Sequence, residues 1–216
     1  MGPFATLIVV RHAHTDAVID GQPVLCGRFD SPLSPTGWAE VDALRQRLRS
    51  ETAAAVYSSP LRRARDTASA ARPELLARVR YLNSLAEVSC GSLDGLPLTR
   101  VKSEHADLWR RNCDQDDAAF RWPGGESYHQ LRRRVLRTVR CIGARHLGER
   151  VLIFTHAGVI NQVMGAIAGQ SAARWENFRP ANASITELRF DGTRFDVVRF
   201  DDRAHLLVAS SGPPGE

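Results

Sequence analysis

No apolar run in the 216-residue sequence approaches the ~20 residues that a membrane helix needs. The amino terminus shows no basic stretch followed by an apolar one and a small-residue cleavage site. The expectation is a soluble, cytoplasmic chain without a membrane partner. Cysteine is sparse. Cys26, Cys90, Cys113 and Cys141 lie too far apart for paired metal ligands or a dense disulfide framework, so free thiols in a reducing compartment are expected. No acidic cluster is suited to Mg²⁺, and neither a metal nor a cofactor is expected. No composition break argues for two domains: residues 1–209 read as one domain and 210–216 as a disordered tail. The net charge of +5 permits nucleic-acid binding. The arginines are scattered over helices, however, and aromatic or groove-reading motifs are missing, so no nucleic-acid partner is expected. Arg132-Arg133-Arg134, with Arg137 and Arg140, reads as a solvated helix face, a basic surface that attracts anionic metabolites. Oligomeric state stays open.

What is present is a set of strand ends. Thr6-Leu7-Ile8-Val9-Val10 stops at Arg11-His12, and Val151-Leu152-Ile153-Phe154 stops at Thr155-His156. A third candidate strand, 53–57, runs through Ser58-Ser59-Pro60 into Arg62-Arg63. Open α/β sheets bind ligands outside the carboxyl ends of their strands, so the three ends point at one phosphate-sized site. Ser34-Pro35 reads as a cap and first helical position, followed by Trp38, Val41, Leu44 and Leu48 at helical spacing, the core-facing stripe of a helix. Ser59-Pro60 reads as a second helix start by the same logic. A weaker strand is expected over 78–82. Residues 85–125 hold no sustained period, with a helix only over 104–111, and residues about 88–125 are read as an inserted lid. Leu131, Val135, Val139 and Ile142 mark a long helix, 150–154 a buried strand and 159–167 the next helix. Segments 184–190 and 193–200 flank the hairpin signal Asp191-Gly192. Strands alternating with helices predict an α/β fold of three layers, a mostly parallel sheet with helices on both faces and an antiparallel edge.

Each motif alone is weak; together they resemble the histidine phosphatase superfamily. Arg11-His12-Ala13-His14-Thr15 is similar to the family's Arg-His-Gly-x-Thr signature, with alanine for glycine. Gly27-Arg28-Phe29-Asp30-Ser31-Pro32-Leu33-Ser34, with Gly37, resembles the following segment. Ser58 to Ala64, ending in Thr67-Ala68, resembles the second arginine motif and puts the functional arginine at Arg63. Glu87 with Gly91 and Asp94-Gly95, then Pro123-Gly124-Gly125-Glu126-Ser127, then Thr155-His156-Ala157-Gly158-Val159, complete the series in family order. The resemblance implies a phosphoglycerate mutase-like fold, with His12, Glu87 and His156 catalytic and Arg11, Arg63, His156 and Ala157 holding phosphate.

These residue types suit phosphoryl transfer. His12 attacks as neutral imidazole, giving a phosphohistidine, while Arg11, Arg63 and His156 offset charge on the equatorial oxygens without a metal. Glu87 protonates the leaving oxygen and then takes a proton from water. Helical rotation allows only one of Arg62 and Arg63 to face inward, and the motif selects Arg63. His14 contacts substrate or sits on the rim. Trp109 and Trp122 either cover an apolar part of the substrate or pack in the core. His105, His129, His146 and His205 read as surface or satisfied structural residues. Ala13 is expected to cost on the order of 1 kcal/mol if its loop is left-handed. Val18, where many relatives have asparagine near the phosphate, implies one missing polar contact. Mutases of the family typically carry a longer insertion than the interval from Glu87 to Gly125, so the resemblance implies a phosphatase of small phosphorylated metabolites, with sugar, glycolytic or nucleoside-like phosphates as substrates. A phosphoglycerate mutase-type phosphomutase is the alternative, and a non-catalytic phospho-ligand-binding protein a third reading.

Overall fold

The computed structural model describes residues 2–209, so the expected tail at 210–216 lies outside it. Strand β1 (Ala5–Arg11) is followed by a ribbon of β2 (Val18–Ile19) and β3 (Gln22–Pro23), then helix α1 (Pro35–Leu48). Strand β4 (Ala55–Ser58), helix α2 (Arg62–Ala71) and strand β5 (Val79–Tyr81) come next. Helices α3 (Leu98–Glu104), α4 (Ala106–Asp114) and α5 (Tyr128–Arg145) precede strand β6 (Arg150–Thr155) and helix α6 (Ala157–Ile167). Strands β7 (Ile185–Phe190) and β8 (Phe195–Asp202) form the hairpin around Asp191-Gly192, before α7 (Ala204–Ala209).

The main sheet has the order β5-β4-β6-β1-β7-β8. The first four strands are parallel, and β7 and β8 add an antiparallel edge. Alternate side chains of the central strands feed two cores, which is why these strands read as continuous apolar runs. Leu7, Val9 and Ile153 pack with Leu131, Val135 and Val139 of α5 and with α6 on one face. Ile8, Val10, Leu152 and Phe154 pack with Val41, Leu44 and Leu48 of α1 and Ala68 of α2 on the other. Each such aliphatic or aromatic side chain stabilises the fold by about 1.5–3 kcal/mol through burial. The fold is thus three-layered, mostly parallel and covered on both faces.

Four local expectations fail for tertiary reasons. Trp38 is 47% exposed. Gly37 takes the inward place, because a Cβ there would lie 2.1 Å from the His14 carbonyl oxygen. Ser34 does cap α1, accepting from Gly37 N at 3.0 Å. Ser59-Pro60 does not cap α2, which begins at Arg62 after Leu61 with no side-chain cap; Ser59 Oγ accepts instead from Leu61 N, in a turn ahead of the helix. Residues 98–114 form two helices broken at His105, too short for a clear period. The segment around them buries Cys90, Leu93, Val101, Phe120 and Trp122 in the larger core. Finally, the arginine run of α5 is not all solvated. Arg132 donates to Gln162 Oε1 at 2.7 Å and to the carbonyls of Gln170 and Ser171. Arg134 also turns inward, whereas Arg133, Arg137 and Arg140 are exposed, the first two beside Arg28 along an open groove of about 620 Å³.

Candidate active site

Register delivers the site. Arg11 pairs with Thr155 and Ser58 with Phe154, so the next residues of three adjacent parallel strands, His12, His156 and Ser59, come together. The ladder extends one step past the strands, with His12 N donating to Thr155 O and Ser59 N to Phe154 O, both at 2.9 Å. The rings of His12 and His156 lie 5.1 Å apart.

His12 is 7% exposed. Its Nδ1 donates to the Ala13 carbonyl at 2.7 Å, which leaves a lone pair on Nε2. That lone pair accepts a long contact of 3.3 Å from Arg63 Nε. Burial, then the charges of Arg63 and Arg11, push protonation of His12 well below the usual histidine range. His156 is lowered in the same way, first by burial and then by Arg63. Both rings are therefore neutral near pH 7. His156 Nε2 lies 2.7 Å from Ser59 Oγ, while its buried Nδ1 has no partner.

Arg63 is 1% exposed, and its NH1 and NH2 each sit 2.7 Å from a carbonyl, those of Phe29 and Gly27. Arg62, one residue earlier, points outward to Asp66. Arg11 donates from NH1 to the Pro180 carbonyl at 2.7 Å, and its buried Nε has no partner. Burial lowers the Arg11 pKa, although an arginine so placed still carries its charge. One buried and one partly buried guanidinium beside two neutral imidazoles form a cradle for an anion, because dehydrated cations gain most from a fixed negative partner.

Glu87 approaches from the segment before α3. Its Oε2 accepts from Gly158 N at 3.0 Å and its Oε1 from Val88 N at 2.9 Å. Gly158 is in the first turn of α6, whose free backbone N–H groups orient the Glu87 carboxyl group. A larger residue fits only if that carboxyl group moves: a Cβ on Gly158 would lie 2.2 Å from Glu87 Oε1. Behind Glu87, Arg134 donates from NH2 to its carbonyl at 3.0 Å and from NH1 to that of Ser84 at 2.9 Å, and it pairs with Glu126 at 2.6 Å. Ala157 opens α6 and, with Arg11, Glu87 and Gly158, lines the inner end of a cavity of about 350 Å³. His12, Arg11, Arg63, Glu87, His156 and Ala157 thus belong to one neighbourhood.

Ala13 is absent from the positive-φ residues and is fully buried in the core beneath α1, so it carries no left-handed strain. Its N–H donates to Thr67 Oγ1 at 3.0 Å. Val18 lies exposed on the β2–β3 ribbon. His14 bonds Ser34 Oγ at 2.8 Å and remains half exposed. Trp109 packs against the core, and Trp122 both packs there and lines the cavity. His146 bonds Tyr57 and Glu149, and His205 donates to the Ala183 carbonyl; His105 and His129 enter no part of the site.

Several supporting residues were not singled out from sequence: Ser59 on His156, Thr67 on Ala13, Arg134 on Glu87, and Asn182, whose amide donates to His12 O at 3.1 Å. Ser59 and Thr67 stand inside the second arginine motif, and Arg134 inside the arginine run. Nothing local marks Asn182, 170 positions from its partner.

The model of the histidine phosphatase superfamily (branch 1) matches residues 7–203. The chain is 29% identical over 213 residues to a metal-independent phosphoserine phosphatase of Arabidopsis thaliana, covering 93% of this chain and 82% of that one. It is 30% identical to phosphoglycerate mutase-like protein 4 of the same plant, covering 94% and 87%. Among solved structures, Bacillus stearothermophilus YhfR aligns with a TM-score of 0.83 and 26% identity over 94% of this chain and 99% of that one. With the strand that ends at Arg11-His12, Arg63 and His156 all inside the matched span, this chain belongs to the histidine phosphatase superfamily.

Proposed function

We propose that this protein hydrolyses monoesters of small phosphorylated metabolites through a phosphohistidine on His12. The observation that carries the reading is the tautomer of His12: with Nδ1–H held by the Ala13 carbonyl, the Nε2 lone pair faces the buried guanidinium of Arg63. The Nε2 lone pair forms a bond to phosphorus as the ester P–O bond breaks, and Glu87 gives its proton to the departing oxygen. Water then attacks phosphorus, Glu87 takes its proton, and the N–P bond breaks to release phosphate and neutral His12. Arg11 and Arg63 hold the equatorial oxygens. Ser59 Oγ, which already accepts from Leu61 N, donates to His156 Nε2, so Nδ1–H of His156 is left as a donor to phosphate. The backbone of Ala157 at the start of α6 adds to the anion site.

The short stretch between Glu87 and Gly125 supports hydrolysis over mutase chemistry, which requires water to be kept from the phosphoenzyme. In this reading residues 88–125 cover the cavity. Four free cysteines fit work in a cytoplasm. The test is rapid quenching with labelled p-nitrophenyl phosphate. Label should appear in an acid-labile, base-stable phosphoenzyme and be lost in His12→Ala. Label on another residue, or undiminished turnover in His12→Ala, overturns the nucleophile; transfer to an added alcohol in place of water favours a mutase.

A further inference from the structure

The alcohol half of the substrate is the next question, and the cavity beyond the catalytic groups bears on it. From Arg11, Glu87 and Gly158 it runs outward between Leu25, Val88, Trp122, Tyr128, Trp175 and Phe178, with a volume of about 350 Å³. This is within the range of pockets for small organic ligands and far larger than a phosphate requires. The polar handles of two of its aromatic walls are already engaged. Tyr128 OH donates to Asn112 Oδ1 at 2.6 Å and Trp175 Nε1 to Asn112 O at 2.9 Å, while the two rings lie within 9° of parallel. Those bonds hold the rings in place and leave mostly carbon facing the cavity.

Charge is correspondingly sparse. Among the described residues lining the cavity, the only charged side chain besides Arg11 and Glu87 is Arg179, which is paired with Glu176 at 2.8 Å and lies over the Trp175 ring. Both Glu87 oxygens already accept backbone N–H groups. Cys26 and Cys90 also line the cavity, and burial pushes both thiols up, so they remain neutral. A leaving alcohol bearing a carboxylate, an ammonium or several hydroxyls would exchange hydration here for few partners, Asn112 in the wall and Arg179 at the exposed rim.

We propose that the preferred substrate is a phosphomonoester of a primary alcohol carrying a flat, apolar ring system, with the ring held between Trp175, Phe178 and Trp122. The proposal rests on the hydrolase reading for its turnover but not for its binding. It is tested with three primary alkyl phosphates of similar leaving-oxygen basicity: 2-(1-naphthyl)ethyl phosphate, glycerol 1-phosphate and phosphoserine. The wild-type kcat/KM for the ring ester should exceed the other two by roughly tenfold to a hundredfold, the scale set by burying one ring system. Trp175→Ala and Phe178→Ala should each shrink that ratio about fivefold or more. Equal or higher kcat/KM for the hydrophilic esters, or an unchanged ratio in both variants, overturns the substrate class while leaving hydrolysis standing. Binding is read separately in inactive His12→Ala by quenching of tryptophan fluorescence. The ring ester should bind at least about tenfold more tightly than inorganic phosphate or glycerol 1-phosphate. Tight ring-dependent binding with no hydrolysis of any ester by the wild type would overturn the hydrolase reading and keep the ligand class; ring-independent binding would overturn the class.

Discussion

Replacing Gly158 by alanine should separate the proton-transfer step from the phosphate cradle. The added Cβ would stand 2.2 Å from Glu87 Oε1 and 3.2 Å from Oε2. Ordinary van der Waals contact needs roughly 1 Å more on the nearer oxygen, so the carboxylate has to swing away and its bond to Gly158 N is lost. A misplacement of about 1 Å costs on the order of 10²-fold in rate when the displaced group acts in the transition state. The loss should therefore be about a hundredfold for an alkyl phosphate, whose basic leaving oxygen needs the proton, and only a few-fold for p-nitrophenyl phosphate. Stability should scarcely change, since Ala in place of Gly in a helix gains roughly 0.5–1 kcal/mol and offsets the lost hydrogen bond. Single-turnover phosphoenzyme formation on both esters reads the difference, with Glu87→Gln as the reference. Combining the two substitutions should add almost nothing, because both remove the same function. Equal losses on the two esters, or additive losses in the double variant, would refute the assignment of Glu87 as the proton donor that Gly158 positions.

Other expectations follow from the same geometry. Arg63→Met should slow both esters alike, by about 10²–10³-fold, because it stabilises charge on the transferred group, and single-turnover rates check it; a loss confined to the alkyl ester would contradict that role. Activity should persist after dialysis against EDTA, since Arg11 and Arg63 supply the positive charge and His156 a neutral N–H donor, and a loss restored by Mg²⁺ or Zn²⁺ would overturn this. Stability should fall as pH drops below about 6.5, where an unfolded chain protonates His12 and His156 while the folded chain keeps them neutral. The slope from each buried histidine is at most about 1.4 kcal/mol per pH unit, so His156→Gln should flatten the urea-midpoint profile between about pH 7 and 5. An identical profile in His156→Gln would contradict the buried neutral state.

The linear sequence determined whatever depends on short-range pattern. Apolar runs ending in Arg11-His12 and Thr155-His156 set the strand ends, Leu131-Val135-Val139-Ile142 set the long helix, and motif order set the family. These features are periodic or contiguous, and their physics operates within a few residues. The tertiary structure decided what depends on separate segments meeting. The strand register, with Arg11 beside Thr155 and Ser58 beside Phe154, puts Ser59 against His156. Arg134 looks in sequence like one member of a solvated run, yet crosses to Ser84 and Glu87 because the chain returns there. The core position expected for Trp38 passes to Gly37 because the His14 backbone leaves no room for a side chain. Ala13, suspect by its departure from the family signature, is unstrained because the loop around it never turns left-handed. The cavity wall is also a product of folding: Trp122, Tyr128 and Trp175 are ordinary core residues by composition, and only the packing of distant segments brings them to the cavity that Arg11 and Glu87 also line.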